Sequence, residues 1–150
     1  MYTSYGVLCW LNDIDGWARI VSRYLKAGGT FFIAEFHPFA GVFDEDSKSE
    51  LRVKYRYWHH NEPDHFFSPY TYDAGDATVE NEETFEWSHP ISSVINALIN
   101  EGLTIHEVKE YPYSVYEQLK FSVKLEDSYW HIPRDSIPLM YSIKASKTKV

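Results

Sequence analysis

A chain of 150 residues suits one domain with room for a real core, and it carries 22 acidic against 14 basic residues, a net charge of −8. With no basic stripe in that balance, a nucleic-acid backbone is excluded as the expected partner, and the single cysteine, Cys9, excludes an internal disulfide and fits a reducing compartment. Nothing after Met1 reads as a signal peptide and no apolar run approaches the length of a membrane span, so the expectation is a cytoplasmic protein with no membrane partner. Aromatic residues make up 17% of the chain, and many fall outside the segments that read as core. They suit either a pocket wall or loop clusters that pin a long insertion.

Taken in chain order, residues 2–11 open as the tail of a strand and pass through Gly6 into a short apolar turn. Asp13 is placed to cap a helix, because its carboxylate can accept from the free amides of the first turn. Ile14, Trp17, Ala18, Val21, Tyr24 and Leu25 then recur at helical spacing, with Arg19, Ser22, Arg23 and Lys26 mainly off that stripe. Gly28 and Gly29 end the helix, one of them left-handed. Thr30 to Phe36 has no polar face until Glu35. Such a continuous apolar run predicts a strand buried on both faces, in a parallel sheet covered by helices.

A second helix follows Pro90, which takes the first helical position behind a cap at Ser88 or His89. Ile91, Val94, Ile95, Leu98 and Ile99 form its buried stripe, and Gly102 closes it. Residues 104–111 read as a strand anchored by Ile105 and Val108. Residues 139–145 read as a last strand with Leu139, Tyr141, Ile143 and Ala145 on one face. This alternation argues for α/β architecture. Residues 40–88 interrupt it with an acidic patch (Asp44, Glu45, Asp46), an aromatic and histidine-rich stretch, and a polar hairpin-like region. So long an insertion is expected to be functional, a lid at the carboxyl ends of the strands, with residues 53–60 and 83–88 pairing as short strands.

The ordered set of these motifs resembles the class I S-adenosylmethionine-dependent methyltransferases, nearest to small bacterial type 11 and type 12 members. Leu25-Lys26-Ala27-Gly28-Gly29 before an apolar strand is similar to that family's late motif, with Ala27 where proline is usual. Residues 2–11 are similar to the end of its fourth strand and the loop behind it. The helix after Pro90, ending Glu101-Gly102-Leu103, is similar to its last helix. The resemblance implies a Rossmann-like α/β sheet that is incomplete: strands four to seven, two main helices and the long lid insertion. Residues 1–150 would form the carboxyl-terminal part of one methyltransferase domain, with residues 40–88 as a lid within it. The family's glycine-rich cofactor loop and the acidic residue closing its second strand have no counterpart: no G-x-G occurs, and Gly28-Gly29 leads into a strand, the reverse of a cofactor-cradling order.

What the resemblance implies for function is methyl transfer from S-adenosylmethionine to a small-molecule acceptor, this chain supplying the acceptor-side half; cofactor binding by these residues alone is not expected. The alternative is a truncated, non-catalytic fragment acting as a binding module with an aromatic pocket. The family sheet sets its first strand beside its fourth, so a bare fourth-strand edge is expected to self-associate or to take up an amino-terminal half.

Glu35 and His37, two apart on a strand, share a face at its carboxyl end, where one of them could orient the acceptor or take its proton. The plainer alternative is that Glu35 satisfies backbone amides while His37 bonds within the lid. Carried over from the family, Ser4, Tyr5 and Gly6 are the expected cofactor contacts. Trp10, Phe39, Trp58, Trp87 and His89 are the expected substrate wall. His59, His60, Asp64 and His65 have metal-like content without the compact spacing of a metal site, so no metal is assigned. Cys9 reads as packing, with nothing near it in sequence to activate a thiol.

Overall fold

A computed structural model describes residues 1–67 and 83–148. The stripe beginning at Ile14 folds as helix α1 (Ile14–Tyr24), and Asp13 caps it as its chemistry predicts, its carboxylate accepting the Gly16 N–H at 2.7 Å. Gly28 takes the left-handed conformation, with φ of 71°, and turns the chain into the strand. Strand β1 (Tyr2–Ser4) lies parallel to β2 (Thr30–Phe36), with Thr3 opposite Ile33.

Beyond β2 the sheet departs from the parallel expectation. Strand β9 (Met140–Lys147) pairs antiparallel with β2, and β5 (Leu103–Tyr111) pairs antiparallel with β9, giving the order β1-β2-β9-β5. Helix α2 (Ile91–Asn100) packs beside α1 on the same face of the sheet. There Ala18, Val21, Val94 and Leu98 close over Phe31, Ile33, Ile143 and Ala145, all essentially without solvent contact. The expectation of helices on both faces of β2 is therefore corrected among the described residues. On the other face Phe32 stacks on Tyr2 with ring centroids 5.7 Å apart, and Tyr2 itself is 58% exposed.

Two further boundaries differ from the sequence expectation. Pro90 is the cap of α2 and not its first helical residue: its ψ of 142° is extended, and its carbonyl accepts from Ser93 and Val94. His89 does not cap the helix, because its ring turns to the Leu11 carbonyl. The paired strands of the insertion are β3 (Asp64–Phe67) and β4 (Glu83–Glu86), joined through residues outside the described set. Residues 53–60 do not pair with β4. The amides of Lys54 and Tyr55 instead bond the Val42 carbonyl, while the Lys54 amine reaches Asp44 and the Tyr55 hydroxyl reaches Glu45, holding the segment on the acidic patch.

The bulge in β5 sets Ile105 and Val108, three apart, on one face, but only Ile105 packs on the core; Val108, expected as a second anchor, is exposed. The register slips at His106, so they sit opposite Ala145 and Ile143, on the helix-covered face. Residues 113–131, read from sequence as loop, build a small sheet of β6 (Tyr113–Ser114), β7 (Val123–Lys124) and β8 (Trp130–His131), in the order β6-β8-β7. Leu119, Ile132, Ile137 and Leu139 form a second core with Ala40, Val42 and Phe43. The start of the insertion is thus braced by a segment from the other end of the sequence. No helix of the described residues is long and apolar enough to cross a membrane.

Candidate functional site

The site is organised by the turn that follows β1. Tyr5 and Gly6 both take positive φ, 43° and 75°, and a side chain at Gly6 would meet the Phe36 ring at 3.3 Å. Tyrosine rarely adopts such a conformation, and surrounding structure must hold it there. Glu35 does this: one carboxylate oxygen accepts the Gly6 N–H at 2.7 Å and the other the Val7 N–H at 2.9 Å. The Tyr5 N–H donates to the Ala34 carbonyl, 2.8 Å away. Glu35 is buried, and burial pushes its carboxyl above the usual range against the pull of the amides.

His37, also buried, is equally committed. Its Nδ1 accepts the Phe39 N–H at 3.1 Å, which fixes the tautomer and leaves Nε2–H to donate to Glu110 at 2.9 Å. Burial lowers its pKa, with Glu110 opposing. Both residues hold backbone and neighbouring strands in place. In this arrangement neither ring nitrogen of His37 is free to take a proton from a ligand.

Two adjoining cavities open at the carboxyl ends of β1 and β2, of about 200 Å³ and about 670 Å³. Gly6, Cys9, Phe36, Tyr55, Phe66 and Glu86 line both. Glu35, His37, Trp87 and His89 belong to the smaller, and Tyr5, Trp10 and Tyr116 to the larger. Ser4, Phe39 and Trp58 line neither: Phe39 packs edge-on to Phe43 and Tyr57, and Trp58 is 68% exposed beside Tyr57. His59, His60 and His65 also stand outside the cavities, while Asp64 lines the smaller one and pairs with Arg56 at 3.2 Å.

Glu86 and Cys9 meet at the shared wall. Burial, followed by the charges of Asp64 and Glu45, holds the Glu86 carboxyl above its ordinary range, while the Cys9 thiol lowers it. The thiol itself is pushed up to about 12, mainly by burial, so it stays protonated and packs as the sequence suggests. His89 donates Nε2–H to the Leu11 carbonyl at 2.6 Å and stacks on His59 with ring centroids 4.9 Å apart. Its Nδ1 is buried without a hydrogen-bond partner among the described residues. Burial holds its pKa below the ordinary histidine value.

Sequence reasoning missed Glu86, Tyr55, Phe66 and Gln118 as cavity residues and Glu110 as the partner of His37. For Phe66 and Glu86 a signal existed: alternation along short strands sets every second residue on one face. Gln118, whose amide donates to Ser114 and the Leu139 carbonyl, lies in a loop with no local pattern.

No protein-family model matches the chain, and no curated protein sequence matches it at a significant level. Among solved structures it is similar to a protein of Listeria monocytogenes assigned as an S-adenosylmethionine-dependent methyltransferase, at a TM-score of 0.57 and 20% identity, over 98% of this chain and 60% of that one. It is also similar to an S-adenosylmethionine-dependent methyltransferase of Mesorhizobium loti, at a TM-score of 0.58 and 17% identity, over 96% of this chain and 59% of that one. A third, from Clostridium acetobutylicum, gives a TM-score of 0.52 at 13% identity, over 97% and 57% of the two chains. The chain therefore has the class I methyltransferase fold, a mixed α/β sheet carrying two helices, and spans less than two thirds of the neighbours it matches.

Proposed function

We propose that this chain forms the acceptor side of an S-adenosylmethionine-dependent methyltransferase acting on a small molecule in the cytoplasm. Residues 1–150 would be the carboxyl-terminal part of one methyltransferase domain, with residues 40–88 as its lid. The observation that carries the reading is the pair of cavities at the carboxyl ends of two parallel strands, walled on the far side by Tyr55, Phe66, Glu86 and Trp87 of that insertion. Ligands of open α/β sheets bind at that end.

The cofactor would supply the methyl group. These residues fit only part of it, since Tyr5 and Gly6 offer one wall and no glycine-rich loop is present. No step is therefore routed through it. This chain's own contribution is positioning and exclusion of water, which is most of what transfer to a good nucleophile requires. Glu35 shapes the Tyr5–Gly6 turn, His37 ties the end of β2 to β5, and the aromatic lid closes the acceptor volume. A segment bearing the glycine loop would join at the outer edge of β1, beside the exposed Tyr2; without it, the edge would drive self-association.

The test is to purify from its own cell the gene product that contains these residues, measure its intact mass and titrate it with S-adenosylhomocysteine. A mass well above 17.6 kDa with stoichiometric heat is expected, while residues 1–150 alone give no heat at millimolar ligand. A 17.6 kDa product without heat would overturn the reading in favour of a non-catalytic binding module.

A further inference from the structure

The carboxylate at the shared cavity wall stands in an arrangement that folding alone does not favour. In the β3–β4 pair Asp64 lies directly opposite Glu86, and like charges in that relation destabilise a hairpin. Asp64 is matched by Arg56, but among the described residues Glu86 has no cationic partner, and its near neighbours are the Cys9 thiol and further acids. Among the described residues, six carboxylates (Glu35, Glu45, Asp46, Asp64, Glu86, Glu117) line the two cavities with the cations Arg56 and Lys120, while Glu35 is held by two amides and Glu45 pairs with Lys54 at 3.3 Å. Arg56 is spent on Asp64, and Lys120 lies 4.0 Å from Glu117. Phe36, Tyr55 and Phe66 line both cavities with Glu86.

A second observation is independent of that charge. The His89 ring lines the smaller cavity and is 95% buried, since only 5% of the residue is exposed. Its Nε2–H is given to Leu11, so Nδ1 is an acceptor, and it has no donor among the described residues. Buried acceptors in folded proteins are almost always satisfied, so this orphan marks a cavity wall that the described residues leave incomplete, although the atom itself is enclosed. A carboxylate without a cation, set among aromatic faces, calls for one chemistry: positive charge with an N–H donor on an apolar body.

We propose that these cavities bind an organic ammonium ion carried on an apolar or aromatic body, with Glu86 as its counter-charge. Resting on the methyl-transfer reading, this makes the methyl acceptor an amine. Its ammonium form would give a proton to the Glu86 carboxylate, and the freed nitrogen lone pair would take the methyl group as the sulfonium leaves as a neutral thioether. A neutral alcohol of the same shape leaves Glu86 without a counter-charge, and an acid of that shape adds repulsion.

The experiment uses the natural gene product and three probes of matched shape, phenethylamine, 2-phenylethanol and 3-phenylpropionate, titrated by calorimetry at neutral pH without cofactor. Phenethylamine should bind about tenfold more tightly than the alcohol, and the acid more weakly than either. Glu86→Gln should bring the amine to the level of the alcohol while leaving the alcohol unchanged. Equal or tighter binding of the alcohol by the unaltered protein overturns the proposal, as does an amine preference that survives in Glu86→Gln, or no amine binding up to its solubility. The comparison among probes on the unaltered protein stands even if the variant does not fold. Because no cofactor is present, an amine preference without S-adenosylhomocysteine binding sinks only the methyl-transfer reading, and cofactor binding without an amine preference sinks only this one.

Discussion

The two faces of β2 come from one apolar heptapeptide, Thr30–Phe36, yet they do different work. Phe31 and Ile33 point into a seal of two helices and lose all solvent contact, with Trp17 edge-on to Phe31 at 5.8 Å. On the other side Phe32 stacks on exposed Tyr2, and Phe36 lies between Tyr5 and Tyr116 at 6.5 and 6.3 Å. An apolar residue is core only where something covers it. Elsewhere the same residue type forms a cavity wall or a surface awaiting a partner. The sealed face supplies stability, and the open face supplies cavity walls and exposed aromatic surface.

Truncation on each face is the strongest way to break that comparison. Ile33→Ala should destabilise the chain by about 2–5 kcal/mol, as removal of fully enclosed methyl groups does, whereas Phe32→Ala should cost roughly 1 kcal/mol. Denaturant unfolding measures both, and equal losses would mean that the open face is a core. Next in size, Glu35→Ala strands the Gly6 and Val7 amides and should cost about 3 kcal/mol, with the Tyr5–Gly6 turn relaxing; amide exchange at Val7 would report the release.

The site end of the sheet also predicts a pH response. Burial holds His37 and His89 below their ordinary value of 6.5, so both fold neutral. Each contributes stability that is complete above the unfolded pKa and is lost as pH falls through the lowered folded one. Stability should therefore decline below about pH 6.5 by roughly 1 kcal/mol per pH unit for each histidine still resisting protonation. Thermal melts of the unaltered chain and of His37→Asn from pH 7.5 to 5 should differ in slope; identical slopes would exclude His37 as a contributor.

Smaller effects refine the picture. Asp13→Ala removes the cap of the helix on the sealed side and should cost about 1 kcal/mol, leaving the cavities intact. Tyr2→Lys sets a charge on the bare edge and should change stability by less than about 0.5 kcal/mol. Its signature is in ultracentrifugation, where the 150-residue chain should self-associate and the variant shift towards monomer.

Local patterning carried much of this fold into the sequence. The 3.6-residue stripes at 14–25 and 91–99, the Asp13 cap and the left-handed Gly28 depend on neighbours within a few residues, and the structure keeps both helices, the cap and the turn. At the helix ends Tyr24 and Ile99 are exposed and Ser22 is buried, because the stripe drifts off the sheet there. The buried strand and the placement of Glu35 and His37 at its end were legible for the same reason. The sequence reading left two roles open for that pair; the structure shows Glu35 bonding the Gly6 and Val7 amides and His37 bonding Glu110 of β5, partners 28 to 73 residues away that no local pattern reveals. The pairing of β3 with β4 was out of reach because the Tyr55–His60 stretch carries the same aromatic content as Phe66 and Phe67.

The sequence by itself determined the α/β class, both helices, the central strand and the end of the sheet where the cavities open, since periodicity and turn chemistry are local. Only the tertiary structure decided which face the helices cover, which acids stand unpaired and which histidine nitrogen lacks a donor. Those depend on burial and on partners far apart in the chain. The sequence sets the distance between residues along the backbone, but only packing sets the distance through space on which charge and hydrogen bonding depend.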